Sequence, residues 1–104
     1  MKRIEHLGIA VADLEAAEKV FTDVLGVAPY KREEVDSEGV ITSFFQTGES
    51  KVELLQSTRE DGPIAKHIAK RGEGLHHVAF HVDDIESEIA RLTESGYRCI
   101  SGPK

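Results

Sequence analysis

The chain has one cysteine, no apolar run of membrane-spanning length and no surplus of positive charge, and each absence removes a class of function. Cys99 alone can make neither an internal disulfide nor a thiolate metal cluster, so a reduced, cytoplasmic setting is the simplest reading. It reads as a small packed residue rather than a nucleophile. Met1 to Arg3 leads straight into a strand pattern without an apolar signal region, and no segment approaches the roughly 20 apolar residues of a spanning helix. A net charge of -6 disfavours nonspecific attraction to nucleic acid or anionic membrane, although an acidic protein can still hold a local basic pocket. At 104 residues there is no room for a second domain, and 39% hydrophobic with 31% charged residues fits a globular domain with a modest core.

What is present is a repeat. Ile4 to Leu14, IEHLGIAVADL, is restated by Leu75 to Ile85, LHHVAFHVDDI, at a shift of 71 positions. Identical residues meet at His6/His77, Val11/Val82 and Asp13/Asp84, and Gly8 meets the equally small Ala79. Each copy reads as a strand running into a helix. A repeated unit of this kind implies two modules built alike and packed together, with equivalent residues at symmetry-related points. His6 and His77 are such a pair.

In the first copy Leu7, Ile9 and Val11 share a strand face read as core, while His6, Gly8 and Ala10 share the other. Asp13 is a natural N-cap, Leu14, Ala17, Phe21, Val24 and Leu25 recur at helical spacing, and Gly26 supplies the stop. The uncovered face then carries a histidine beside two very small residues, which leaves volume for a ligand. The KREEVD run marks a solvent-facing strand, Ser37 to Gly39 a hairpin turn into VITSFFQT, and Gly48 to Ser50 a turn into KVELLQ. Residues 1–57 thus form a β-α-β-β-β module, and 58–74 a linker whose short helix has Pro63 in its first turn and Ile64 and Ile68 as anchors. Residues 75–104 open a second module. There Val78, Phe80 and Val82 are expected on the core face, and Ile85, Ile89 and Leu92 as the buried stripe of a helix before a strand starting at Tyr97. The expected fold class is α+β, with paired modules forming a curved mixed sheet in one domain over 1–104. A full second copy would run to roughly position 128, so the second module is expected to be truncated here, without the counterpart of Glu53 at about position 124.

Two imidazoles on equivalent strands, with the Glu53 carboxylate on a further strand, offer two nitrogens and one hard oxygen. Such a set suits Mn, Fe, Co, Ni or Zn rather than an all-oxygen Ca or Mg cage. The repeat leaves two readings open for the pair, metal ligands or ordinary concave-face histidines. Taken alone, Glu53 reads first as a carboxylate on an exposed strand face. Strict alternation puts His76 on the face opposite His77, and His81 lies roughly 13 Å farther along, too far to share an ion. His67, among Lys66, Lys70 and Arg71, reads as a surface histidine.

These residues resemble the vicinal oxygen chelate (glyoxalase-like) superfamily and, within it, the methylmalonyl-CoA epimerase branch. The resemblance spans the chain and is carried by HLGIAV with DLEAAEKVFTDVLGV, by KVELLQ and above all by DGPIAKHIAKRGEGLHHVAFHVDDI. It implies paired modules around a divalent metal, Co2+ in the epimerase with Mn2+, Ni2+, Zn2+ or Fe2+ as alternatives, and a homodimer. It implies metal ligation by His6, Glu53 and His77, and a fourth ligand, a glutamate late in the second module, which has no position in this sequence. The catalytic acid-base glutamate is likewise expected beyond Lys104. Some epimerases also have a glutamate where this chain has Thr42, and glutamine can stand where Glu53 is.

The implied activity is interconversion of (R)- and (S)-methylmalonyl-CoA: loss of an α-proton beside an acyl-CoA thioester, through an enolate that a metal stabilises while carboxylates move the proton. The 104-residue chain itself is expected to retain metal weakly and to show little activity. Two alternatives use the same early residues. One is a glyoxalase-type isomerase or Fe(II) dioxygenase; the other is a metal-free protein that sequesters a small molecule in the concave sheet.

Overall fold

The computed structural model describes residues 2–98. Its order is β1 (Arg3–Ala10), α1 (Leu14–Leu25), β2 (Lys31–Val35), a 3-10 turn (Asp36–Glu38), β3 (Val40–Thr47), β4 (Ser50–Ser57), α2 (Pro63–Arg71), β5 (Gly74–His81) and α3 (Ile85–Glu94). The strands form one mixed sheet in the order β2-β3-β4-β1-β5, with β1 parallel to β4 and antiparallel to β5. This is the expected α+β architecture. Among the described residues no helix is long and apolar enough to cross a membrane.

The helices begin where their caps dictate. Asp13 accepts from the Ala16 N–H at 3.1 Å, and its repeat partner Asp84 accepts from the N–H groups of Glu86 and Ser87 at 3.1 and 3.3 Å. Gly26, left-handed at φ 74°, ends α1. Beneath α1 lies the main core of Val11, Leu14, Phe45, Val52 and Leu54, with Ile9, Ala17, Phe21, Leu25 and Ile41 packed against it. Val24, expected on the same stripe, instead stands 74% exposed.

Three expectations about burial are corrected. The face of Ala10 is a second core, in which Ala10, Val40, Leu55 and Ile64 bury one another because α2 lays Ile64 and Ile68 across it. On α3 no residue is buried, and Ile85 is 51% exposed. Val78 and Phe80 are exposed as well. For α3 and β5 the physical reason is shared: β5 ends the described sheet, so α3 and that face of β5 have little beneath or beside them to pack against. The strand expected from Tyr97 is not formed at Tyr97 or Arg98, and Cys99 and Ile100 lie outside the described residues.

The β1–β5 pairing shows the repeat directly. Leu7 faces Val78, His6 faces Ala79, and Gly8 faces His77. Adding the 71-residue shift turns the pair His6/Ala79 into His77/Gly8 and returns Leu7/Val78 to itself, so a local two-fold axis passes through Leu7 and Val78. The ladder slips by one residue at two places. Ile4 faces Phe80 while His6 faces Ala79, which leaves Glu5 as an extra residue; Gly8 faces His77 while Ile9 faces Leu75, which leaves His76 as an extra residue. Glu5 and His76 are equivalent under the same shift.

A polar cluster ties α1 to the far strands. Ser43 Oγ donates to Glu18 Oε2 at 2.6 Å and Arg32 Nε donates to the same oxygen at 3.0 Å, while Arg32 Nη2 pairs with Oε1. The Arg32 guanidinium, aided by the Ser43 hydroxyl and opposed by burial, holds the Glu18 carboxyl below the usual carboxylate range. A lowered folded-state value means the stabilisation is present above the unfolded carboxylate pKa of about 4.3 and is lost as pH falls through the folded value. Glu18→Gln should therefore cost about 1 kcal/mol in urea unfolding at neutral pH, the half-exposed Arg32 discounting the ion pair. The deficit should shrink toward zero in acid. An equal deficit at neutral and acid pH would contradict this assignment.

Candidate metal centre

Gly8 is where the site is built. It lies between Glu53 on β4 and His77 on β5 in adjacent strands of the sheet, all on the face away from α1. A Cβ on residue 8 would stand 2.2 Å from Cε1 and 2.5 Å from Nδ1 of His77, so the imidazole lies on the bare glycine backbone. The volume expected beside the small residues is thus taken by the His77 ring itself. Across the two-fold axis His6 lies opposite Ala79.

This packing brings the histidine rings edge to face, with centroids 5.0 Å apart and the two Nε2 atoms at 3.0 Å. Glu53 Oε2 stands 3.4 Å from His6 Nδ1, and its side chain is only 15% exposed, not in open water. One ligand atom from each of His6, Glu53 and His77 lies within 4.8 Å of the others. The donor set fits a transition ion: two nitrogens on adjacent positions of an octahedral ion, at bonds of about 2.1 Å, stand about 3.0 Å apart. Burial, chiefly, and then the nearby His6 pull the His77 pKa down, against the opposing pull of Glu53. That favours the neutral imidazole, the form that ligates.

The site forms part of the wall of a cavity of about 420 Å³, where Glu53, His76 and His77 meet Thr42, Phe44, Leu55 and Ile64. Thr42 is buried and brings no carboxylate. The expectation that His76 lies on the opposite face is corrected: it lines this same cavity, and its Nδ1 stands 2.9 Å from His77 Nδ1. The cause is the bulge, since one extra residue breaks the period-2 alternation at that point. His67 is likewise less isolated than its sequence neighbours imply, its ring packing edge-on to His76 at 4.8 Å. His81, opposite Arg3, stays outside the cluster. Glu5 was not singled out by the sequence patterns, yet its Oε1 stands 2.7 Å from His6 Nδ1. Its one sequence signal is that the shift pairs it with His76.

Comparison with known proteins places these features in context. The family model of the Glyoxalase/Bleomycin resistance protein/Dioxygenase superfamily matches residues 5–104. An uncharacterised Bacillus subtilis protein, YqjC, is 34% identical over 100 residues, covering 96% of this chain and 71% of that protein. Mouse mitochondrial methylmalonyl-CoA epimerase is 34% identical over 100 residues, covering 95% and 56%. The ethylmalonyl-CoA/methylmalonyl-CoA epimerase of Cereibacter sphaeroides is 35% identical over 99 residues, covering 94% and 74%. The chain therefore spans just over half of the mouse relative and about three quarters of the bacterial one. Among solved structures, a hypothetical protein of Bacillus halodurans superposes with a TM-score of 0.87 at 39% identity, covering 95% of this chain and 72% of that one. A single-substitution variant of Streptomyces coelicolor methylmalonyl-CoA epimerase in complex with 2-nitronate-propionyl-CoA superposes with a TM-score of 0.79 at 33% identity, covering 97% and 74%.

Proposed function

Because the chain belongs to the Glyoxalase/Bleomycin resistance protein/Dioxygenase superfamily, we propose that its protein is a divalent-metal-dependent epimerase interconverting (R)- and (S)-methylmalonyl-CoA. Residues 1–104 act as one glyoxalase-like domain, and His6, Glu53 and His77 are the protein ligands this chain contributes. The observation that carries the proposal is their convergence, one ligand atom each within 4.8 Å, beside a cavity whose wall includes Glu53 and His77. Relatives named as methylmalonyl-CoA epimerases at 34% and 35% identity supply the substrate class.

The reaction asks for little covalent chemistry. An α-proton between a thioester and a carboxylate passes to a carboxylate base other than the three ligands, negative charge grows on the thioester oxygen, and a proton returns on the other face. A divalent ion, Co2+ by resemblance, would supply Lewis acidity toward that oxygen. His6 and His77 would hold it through neutral nitrogens, and Glu53 would add a negative oxygen that offsets its charge. Gly8 lets His77 reach that position. Phe44, Leu55, Ile64 and Val40 give the cavity apolar wall, which limits water and strengthens the electrostatic interactions inside it.

The test follows methylmalonyl-CoA in deuterium oxide by proton NMR, with the purified whole protein, not the 104-residue chain alone, loaded with Co2+. Wash-in of deuterium at the α-carbon together with racemisation is the expected result, and both should stop when a chelator removes the metal. No wash-in by the metal-loaded protein would overturn the proposal.

A further inference from the structure

We propose that Glu5 and His76 are a matched pair of positioning residues, each carried by a β-bulge onto the Nδ1 atom of the histidine that follows it, so that both Nε2 atoms are left free to ligate. The inference rests on the metal reading above but is drawn from a different observation, the register of β1 against β5.

In an unbroken strand the residue before a histidine points to the other face. Glu5 and His76 would then face the α1 side of the sheet. Instead the ladder gains one residue at Glu5 on β1 and one at His76 on β5, and the two insertions exchange under the local two-fold axis. Each bulge delivers one polar side chain to the same atom of its neighbour: Glu5 Oε1 to His6 Nδ1 at 2.7 Å, and His76 Nδ1 to His77 Nδ1 at 2.9 Å. A bulge sacrifices ladder pairing, so two at symmetry-related places, with the same result, constitute a built device.

Each positioning residue is itself held. Lys51 Nζ stands 3.4 Å from Glu5 Oε2, and the His67 ring packs edge-on to His76 at 4.8 Å. The chemistry of the tautomers gives these contacts their meaning. A neutral imidazole has one N–H, and ligation through Nε2 requires that hydrogen on Nδ1. An ionised Glu5 can only accept, so it places the His6 hydrogen on Nδ1. Without a metal the 3.0 Å contact between the two Nε2 atoms takes the His77 hydrogen; with a metal on Nε2 that hydrogen moves to Nδ1, where His76 accepts it at its own Nδ1. The two halves differ in strength, since a carboxylate raises ligand basicity more than a neutral imidazole does. His6 is thereby the more basic ligand and His77 the more easily displaced.

The experiment compares wild type with Glu5→Ala, His76→Phe and His76→Gln, the last keeping an acceptor on the side chain. Two readouts are taken: Co2+ affinity by calorimetry, and long-range proton-nitrogen NMR of the metal-free proteins at mildly alkaline pH, which reports the ring nitrogen carrying the hydrogen. Glu5→Ala and His76→Phe should weaken Co2+ binding about 10- to 100-fold, the usual cost of losing an outer-shell partner. His76→Gln should recover most of the loss, and urea unfolding of the metal-free variants should stay near wild type. In the spectra His6 should carry its hydrogen on Nδ1 in wild type and shift toward Nε2 in Glu5→Ala, while His77, whose Nε2 stands 3.0 Å from that of His6, should donate from Nε2 until a metal takes its place. Affinities within twofold of wild type in both truncations would overturn the inference, and so would an Nε2 hydrogen on His6 in the metal-free wild type. If wild type takes up no Co2+, the metal reading fails separately, and the tautomers then decide the positioning pair alone.

Discussion

Gly8→Ala is expected to weaken Co2+ binding about 100-fold or more while leaving the metal-free protein as stable as wild type or slightly more so. The two halves of that result have separate causes. A Cβ at residue 8 would overlap the His77 ring, with contacts of 2.2, 2.5 and 2.6 Å to its atoms, all well inside the closest approach of real side chains. The ring must swing off the glycine, and its Nε2 leaves the position 3.0 Å from that of His6. Losing the geometry of a ligand costs more than losing an outer-shell partner, which itself costs about 10- to 100-fold.

Stability should not follow affinity. Gly8 is not among the glycines at positive φ, so alanine fits its backbone. Glycine inside a strand loses more chain entropy on folding than alanine does, by roughly 0.5–1 kcal/mol. The His77 side chain has open cavity to move into, so the clash is relieved without shifting the sheet. Calorimetric titration with Co2+ and urea unfolding of the metal-free protein therefore separate the causes. His77→Ala provides the scale, since it removes the ligand outright. A Gly8→Ala protein that binds Co2+ as wild type does would show that His77 can ligate from another rotamer, and that the bare backbone is not what places it.

That glycine marks where the sequence was legible and where it was not. The 71-residue shift located the two histidines on equivalent strands, and alternation placed His6, Gly8 and Ala10 together, as the structure has them. It could not show that His77 lies over Gly8, because that follows from which residues face each other across β1 and β5. Alternation failed at Glu5 and His76 for a physical reason: a single inserted residue reverses the phase of a period-2 pattern. Around His76, Leu75, Val78 and Phe80 are all exposed apolar residues, so hydrophobicity gave no sign of the slip. The second core under α2 was hidden similarly. Ala10 and Leu55 become buried only because Ile64 and Ile68 arrive from 58–74, a contact distant in sequence. For α3 the periodic stripe reported an amphipathic helix correctly, but periodicity does not state what the stripe rests on.

Phe45→Ala is expected to cost about 3–5 kcal/mol, against a total stability of about 5–15 kcal/mol for a domain, and so to bring the protein near its unfolding threshold. Phe45 is fully buried, packs against Phe21 at 6.3 Å between centroids, faces Val52 across the ladder and sits among Val11, Leu14 and Leu54. The rigid sheet beneath α1 leaves a void that its neighbours cannot fill, which is the condition for the upper part of that range. Phe44 supplies the control within the same strand. One residue earlier, its ring points to the opposite face, lines the cavity, and stacks with Tyr30 at 6.0 Å beneath Lys31. Removing it enlarges an existing cavity rather than leaving a new void in a sealed core, so its cost in stability should be near 1–2 kcal/mol. In urea, with a slope of roughly 2 kcal/mol per molar, Phe45→Ala should lower the midpoint by about 2 M and Phe44→Ala by less than half as much. Their effects on the site should be reversed. At low temperature, where folded molecules dominate, Phe45→Ala should bind Co2+ as wild type does, whereas Phe44→Ala should weaken retention of an acyl-CoA in the cavity. Equal midpoint shifts for the two would mean that the sheet does not separate a structural face from a binding face.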